Sequence, residues 1–397
     1  MGAVLRTLTR TVGRAASPVS GLGGAIIGAA LVLGGAGWRL GWLELTVVAA
    51  GLSALVVVAF GFTIGRSTYA VELDLSTHRV TVGQRAVGRL EVRNTSRRRL
   101  LPAQIELPVG REAADFALPS LAPGAAHEDV FAIPTTRRAV VVVGPVRSVR
   151  GDPVGLLRRR VRWTDPVDLF VHPEVVPLGG ASAGVLRDLE GQATRVMSDS
   201  DMSFHALRGY VAGDDRRHIH WKTSARIGAL MVRQFEDTRR THTAIALSTA
   251  VGDYVSVDEF ELAVSATASI GVQALRDERD LTVLAGDGPL RTASSPRLLD
   301  DCSALEATPA GRPSEHLARW VAREAPDASV AILVTGSVPS RAALRAHAVR
   351  LPVGVRALVL LCAVGSSVEV AQHGSLTFAQ VGSLADLPRV LRRVVTG

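Results

Sequence analysis

Apolar and polar positions divide this chain into three rhythms. Residues 15–38 and 45–65 carry no charged side chain and are apolar all round a helix. A bilayer is crossed by about 20 such residues, so the two runs predict a transmembrane hairpin bending near Arg39-Leu40-Gly41. From Tyr69 to about Val176 the pattern shortens to alternating or apolar runs. These are Tyr69–Leu75, Ala86–Val92, Ile105–Val109, Val130–Ile133, Ala139–Val143 and Val146–Val149. Gly83-Gln84, Asn94-Thr95-Ser96, Pro123-Gly124 and Gly144-Pro145 break them, a spacing that predicts an antiparallel β-sandwich. Residues 177–204 read as a connector containing Gly, Ala and Ser, with one helical stretch at Val185–Glu190.

After Ala244, strands alternate with helices. Strands are predicted at Ala244–Leu247, Leu281–Leu284, Val330–Val334 and Ala357–Val364, and helices at Asp258–Arg276, Ser314–Glu324, Arg341–Ala348 and Leu387–Val394. Leu230–Phe235 and Thr243–Leu247, joined by a turn at Thr238–Thr241, read as neighbouring strands. Asp258 with Glu261 reads as a capping pair for the first helix, whose buried face would hold Phe260, Ala263, Val264, Thr267, Gly271 and Ala274. Alternation of this kind predicts a mostly parallel sheet covered on both sides. The expected organisation is a transmembrane helical hairpin over 1–66, a β-sandwich over 67–176, a connector over 177–204 and an α/β domain over 205–397.

Charge refines this picture. The net charge of +8 raises nucleic acid or anionic lipid as partners. No aromatic-interleaved basic stripe or RNA-binding motif accompanies it, so nucleic acid is not the expected partner. The Arg clusters at 97–99 and 158–160 read as solvated surface near an anionic lipid leaflet. Arg6, Arg10 and Arg14 precede the first apolar run and Arg66 follows the second, which places both tails in the cytoplasm. A cleaved secretory signal is the rival reading of the first run. Gly24 and Gly28 form a Gly-x-x-x-Gly face suited to self-association. Cys302 and Cys362 form no C-x-x-C pair and suggest no disulfide framework.

Residues 205–236 concentrate the candidate chemistry. They hold five Arg, three His, Asp214, Asp215 and Lys222, the only lysine in the chain. His218-x-His220 with the two aspartates has donors for a metal, although the spacing fits no specific zinc motif. Ser224 with Lys222 or His220 would be a nucleophile and base, but residues two apart on a helix do not share a face. No Walker A, Gly-x-Ser-x-Gly, Gly-x-Gly-x-x-Gly or His-Glu-x-x-His occurs in a plausible context. The architectural alternative pairs Asp214 and Asp215 with Arg216, Arg226 or Arg233 and anchors the loop through Trp221 in a cleft. Exposed Arg and Trp would instead carry interface energy.

The same segment carries a family resemblance. Arg208-x-Tyr210-x-x-Gly213-Asp214, Ile219-x-Trp221-Lys222, Ser224-Ala225-Arg226 and Phe235-Glu236 resemble the signature of the bacterial "domain of unknown function 58" family. Arg137-Arg138, Gly144-Pro145, Asp152-Pro153-Val154-Gly155-Leu156 and Val171-His172-Pro173 extend the resemblance from about residue 66 to the C-terminus. It implies a protein of the bacterial cytoplasmic membrane, with an α/β domain of von Willebrand factor A-like fold and a MoxR-type AAA+ ATPase as partner. Such domains hold a divalent cation with Asp-x-Ser-x-Ser after the first strand. Here Ser248, Ala250 and Gly252 stand at those positions, and Thr335-Gly336 stands where an Asp-Gly often follows the third strand. The metal site is therefore expected to be degenerate, with Asp253 or Asp258 as the carboxylates able to rescue it. No cofactor is expected.

The resulting expectation is a non-catalytic adaptor that presents its α/β domain to that ATPase from the lipid bilayer. Its candidate docking residues are Arg208, Tyr210, Gly213, Asp214, Asp215, Trp221, Lys222, Ser224, Arg226, Phe235 and Glu236. The rivals are a hydrolase built on residues 205–236 and a basic membrane protein that binds nucleic acid or lipid.

Overall fold

A computed structural model describes residues 19–63, 69–151, 154–179, 203–211, 213–236, 242–374 and 376–396. Arg6, Arg10, Arg14, Arg66, Asp152-Pro153, the Val185–Glu190 stretch and the Thr238–Thr241 turn lie outside them. Contacts divide the chain into two units. One is Met1–Thr136 with Val140–Phe170, and the other is Arg137–Ala139 with Val171–Gly397. The second unit thus begins a few residues earlier than the fading of the strand rhythm implies, and it also takes in a short piece around Arg138.

The first unit opens with helices α1 (Gly21–Leu40) and α2 (Leu43–Thr63), both long and apolar enough to cross a membrane. Ser20 caps α1 by accepting a hydrogen bond from Gly23 N at 2.9 Å. Gly41, at φ +70°, ends the helix by returning its N–H to the Gly37 carbonyl. The bend brings small residues together. Gly34 faces Ala49, and a Cβ at Gly37 would lie 2.8 Å from the Thr46 methyl. Space beside Gly24 and Gly28 is open.

Strands β1 (Tyr69–Leu75), β2 (Arg79–Thr81), β3 (Ala86–Asn94), β4 (Ala103–Val109), β5 (Glu112–Leu118), β6 (Ala126–Ile133), β7 (Ala139–Val143), β8 (Arg147–Gly151), β9 (Arg158–Arg162) and β10 (Val167–His172) follow. They form a three-stranded sheet ordered β1-β3-β6 and a seven-stranded sheet running β2-β10-β7-β4-β8-β9, with β5 added on β4. Alternation along β3 buries Ala86, Leu90 and Val92 and leaves Val87, Arg89 and Arg93 exposed, which is period-2 patterning at work. Asn94 is fully buried; its amide donates to the Arg98, Leu121 and Ala122 carbonyls at 2.9–3.0 Å and so ties two turns together. Strands β2, β5 and β9 escape the pattern reading because they are short, polar or arginine-rich, and β10 escapes it as well.

The second unit contains a hairpin, β11 (Ser203–Gly209) and β12 (Met231–Glu236), with helix α3 (Trp221–Ile227) between its strands. β12 pairs with β11, not with the following strand as the alternation suggests. The remaining strands are β13 (His242–Leu247), β14 (Asp280–Ala285), β15 (Gly288–Pro289), β16 (Val330–Thr335), β17 (Arg356–Cys362), β18 (Glu369–His373) and β19 (Leu376–Val381). They make one sheet ordered β15-β14-β13-β16-β17-β19-β18, parallel except at its two outer pairs. Helices α4 (Val257–Arg276), α5 (Ser295–Ser303), α6 (Leu317–Glu324), α7 (Arg341–Ala348) and α8 (Leu387–Thr396) complete the unit. Phe260, Ala263, Val264, Thr267, Gly271 and Ala274 are all buried along α4, as the helical periodicity requires. Gly271 lets α5 approach closely, since a Cβ there would meet Leu298 at 2.7 Å.

The cap of α4 corrects the reading of Asp258 and Glu261. Ser256 is the N-cap, accepting from Glu259 N at 3.2 Å, and Glu259 reaches back to Val255 N at 2.9 Å. The Ser-x-x-Glu spacing was present in the sequence two residues earlier. Asp258 is exposed, while Glu261 pairs with Arg138 at 2.9 Å.

Candidate functional site

The 203–236 segment is assembled from local hydrogen bonds. As β11 ends, Arg208 makes a two-pronged contact with Asp214, at 2.7 and 2.8 Å, across a turn in which Gly213 has φ +114°. Asp214 also accepts from Val211 N at 2.8 Å, and these donors hold its carboxyl below the usual range. Asp215 accepts from Arg217 N at 2.9 Å, opening a 3-10 turn over Arg216–His218, and pairs with the Arg217 guanidinium at 2.8 Å. That guanidinium likewise depresses the Asp215 carboxyl. The partners are therefore Arg208 and Arg217, correcting the expected Arg216, Arg226 and Arg233, which are exposed. Sequence adjacency cannot reveal which arginine a turn will aim at an aspartate.

The rest of the segment separates buried from exposed groups. Buried Ile219 bridges to Val232, and the His220 backbone N–H donates to the Met231 carbonyl at 2.8 Å. His220 Nδ1 accepts from Thr223 N at 3.2 Å and caps α3. Ser224 is buried, donating to the His220 carbonyl at 3.1 Å and accepting from Met231 N at 2.9 Å. A hydroxyl fixed between two backbone groups braces α3 against β12 and is poorly placed as a nucleophile. His218 ends the 3-10 turn and His220 starts a helix, so the two do not share the face of an extended strand. Among the described residues no three His, Cys, Asp or Glu side chains converge as metal ligands. Tyr210 is half-buried and its N–H donates to the Leu230 carbonyl at 2.8 Å. Phe235 and Glu236 pair with Phe204 and Ser203 in the backbone register. Trp221 is 66% exposed, with Lys222 and Arg226 exposed beside it on α3. The expected cleft anchor instead points to solvent, because α3 turns its Ser224 face inward.

A second polar centre lies where β13 and β16 end. Ser248 Oγ donates to Asp253 Oδ2 at 2.5 Å; the same oxygen accepts from Ser314 N at 2.7 Å and Thr335 Oγ1 at 3.5 Å. The Tyr254 hydroxyl donates to the Ser248 carbonyl at 2.7 Å, and burial pushes that phenol well above its usual range. Buried Glu259 accepts from Ser337 Oγ at 2.8 Å. Gly336 packs so closely on Asp253 that a Cβ would overlap its carbonyl oxygen. Ala250 is buried and Gly252 is exposed in a 3-10 turn, and neither adds a side-chain donor. Asp253 therefore enters this centre, whereas Asp258 stays exposed on α4. The donor set does not suit magnesium. Of its two carboxylates, Asp253 takes the hydroxyls of Ser248 and Thr335 and Glu259 is turned to Val255 N and Ser337, whereas Mg²⁺ takes an octahedral shell of hard oxygens.

The family model described as "Protein of unknown function DUF58" matches residues 206–295. Over those residues the chain belongs to the DUF58 family. The DUF58 match spans the hairpin, the Asp253 loop and α4 together. No curated protein matches the chain. Among solved structures, the CARDB domain of a Pyrococcus furiosus protein in complex with di-metal ions is 14% identical. That comparison covers 26% of this chain and 93% of the other, with a TM-score of 0.21. The C-terminal domain of wzt is 10% identical over 28% of this chain and 78% of its own, with a TM-score of 0.22. Pseudomonas fluorescens alkylpurine DNA glycosylase AlkC is 16% identical over 30% of this chain and 33% of its own, with a TM-score of 0.21. Likenesses this weak say nothing about the present chain.

Two motifs outside the DUF58 match converge on α5, a helix that the sequence pattern does not reveal. Arg138 is buried, donating to the carbonyls of Cys302, Ser303 and Leu305 at the C-terminus of α5. It also pairs with Glu261 and lies 5.1 Å over the Phe260 ring. Burial lowers the Arg138 pKa, and Glu261 opposes that shift. His172 meets Asp300 at 2.9 Å in the interior. Arg138 and His172 thus have a packing role that only their distant partners disclose.

Proposed function

We propose that this chain is a membrane-anchored, non-catalytic adaptor. In this reading the first unit is a transmembrane hairpin carrying a β-sandwich spacer. The second is a cytoplasmic von Willebrand factor A-like domain that docks a MoxR-type AAA+ ATPase. One observation carries it: α3 presents Trp221, Lys222 and Arg226 to solvent, while Asp214, Asp215, His220 and Ser224 are occupied by local hydrogen bonds. An exposed Trp beside basic residues resembles the composition of interface hot spots. The mostly parallel sheet with flanking helices supports the domain assignment, and the family resemblance supplies the partner. The hydrolase alternative has no observation in its favour, since its nucleophile candidate braces a helix.

The test is co-purification of the detergent-solubilised protein with the ATPase. Lys222→Glu should weaken capture without changing the melting curve, and Arg98→Glu in the first unit should leave it intact. Failure to capture the ATPase with ATP, with ADP or without nucleotide would rule the reading out.

A further inference from the structure

Arg312, His316, Arg319, Trp320 and Arg323 line a cavity of about 200 Å³ beside α6. Its floor is built rigidly. The Arg312 backbone is pinned to the end of β13: its N–H donates to Thr249 Oγ1 at 3.1 Å, and its carbonyl accepts from Thr249 N at 3.0 Å and Ser248 Oγ at 3.1 Å. The Arg312 guanidinium stacks on Trp320, 3.9 Å from the ring centroid, and Trp320 is 3% exposed in the core. This leaves Arg312 Nε buried with no hydrogen-bond partner. Arg319 and Arg323 are four apart on α6 and therefore share a helical face.

The charge around this cavity is only partly matched. Arg323 pairs with Glu324 at 2.8 Å, and His316 has Glu315 at 3.6 Å. Neither Arg312 nor Arg319 has a carboxylate partner among the described residues. A carboxylate ligand would neutralise one of these guanidiniums, whereas a phosphate group with close to two charges would neutralise both. Guanidinium forks also match phosphate oxygens geometrically. The volume lies below the roughly 300–1,000 Å³ of pockets for drug-sized ligands, which favours a single phosphate-bearing group over a nucleotide. We propose that this cavity binds phosphate, either free or as the phosphoryl end of a small monoester, held between Arg312 and Arg319. The proposal is independent of the adaptor reading.

Titration calorimetry on the full chain in detergent tests it, using inorganic phosphate, glycerol phosphate and acetate at equal ionic strength. At least one phosphate compound should bind about tenfold or more tighter than acetate. The tighter of the two identifies free phosphate or the monoester as the source. Arg319→Gln, an exposed change, should weaken that binding about tenfold with an unaltered circular-dichroism melt, and Arg312→Gln should do the same if it folds. Arg297→Gln on α5 should have no effect. Acetate binding as well as both phosphates, no binding of either phosphate, or unchanged binding in Arg319→Gln would each overturn the proposal.

Discussion

The 203–236 hairpin and the centre at the ends of β13 and β16 are both dense in polar side chains and use them in opposite ways. In the hairpin, acids and arginines pair across single turns near the surface, and α3 leaves an aromatic and two basic groups facing solvent. At the sheet ends, Ser248, Asp253, Tyr254, Ser314 and Thr335 come from segments up to about ninety residues apart and satisfy one another, and Ser337 satisfies Glu259 beside them. Density of polar residues is therefore no guide to availability. What distinguishes the two regions is how many hydrogen-bonding groups remain for a partner. By that measure the sheet-end centre is a clasp, and the hairpin has an open surface.

The largest effect should come from the buried guanidinium that serves both an ion pair and a helix end. Arg138→Ala leaves Glu261 and the C-terminal carbonyls of α5 without their cation, and should cost about 3–5 kcal/mol in urea unfolding. A loss within experimental error would show that this interior is looser than its hydrogen bonds imply. Asp253→Ala comes next. It strips the acceptor from Ser314 N, a loss of about 1–3 kcal/mol for a buried donor, while Ser248 Oγ keeps the Arg312 carbonyl 3.1 Å away as an acceptor. Magnesium should not shift the wild-type melting temperature. A true site at 100 times its dissociation constant would add about 2.7 kcal/mol, and finding that gain would turn the clasp back into a cation site.

A smaller, local effect is expected from acid in the hairpin. Because Asp214 and Asp215 have lowered folded-state pKa values, their stabilising contribution is complete above the ordinary Asp value of about 3.9. It is lost as pH falls through the lower folded values. Hydrogen exchange at the Val211 and Arg217 amides, both bonded to these carboxylates, should therefore stay level relative to the intrinsic rate at each pH from neutrality to about pH 5 and quicken on that scale only in stronger acid. Quickening near neutrality would mean that the pairs are not formed in solution. The smallest change in stability should follow Trp221→Ala, within about 0.5 kcal/mol, since the ring faces solvent. A loss of several kcal/mol would place Trp221 in the core and remove the contrast between the regions.

Much of the fold was legible from periodicity. The uncharged runs became α1 and α2, alternation marked β1, β3 and β6, and the buried face of α4 agreed residue by residue. Helix α5 was missed because Ser295–Ser303 is short, mixes charge with two leucines and leaves little periodic trace. The β18–β19 pair leaves a weaker trace than β16 and β17 because Thr377 and Gln380 interrupt the apolar run of β19 and β18 is short and mostly polar. Within the candidate site, the residue types of the hairpin were recognisable but their partners were not. The spacing of Arg312, Arg319 and Arg323 around Trp320 is visible in the sequence, but only the fold brings them around one cavity.

The sequence by itself determined where the chain must avoid water. An apolar stripe has a period, and that period selects helix or strand wherever the rest of the chain then lies. It also determined that the Asp-x-Ser-x-Ser positions hold Ser248, Ala250 and Gly252, with no carboxylate among them. Tertiary structure alone decided which charges meet. Arg138 finds carbonyls more than 160 residues away, and Asp253 turns inward while Asp258, five residues on, turns outward. The physical reason is range. Hydrophobic burial is non-directional and is written into local pattern, whereas a hydrogen bond requires two atoms within about 3 Å at a favourable angle, which only the assembled fold can supply.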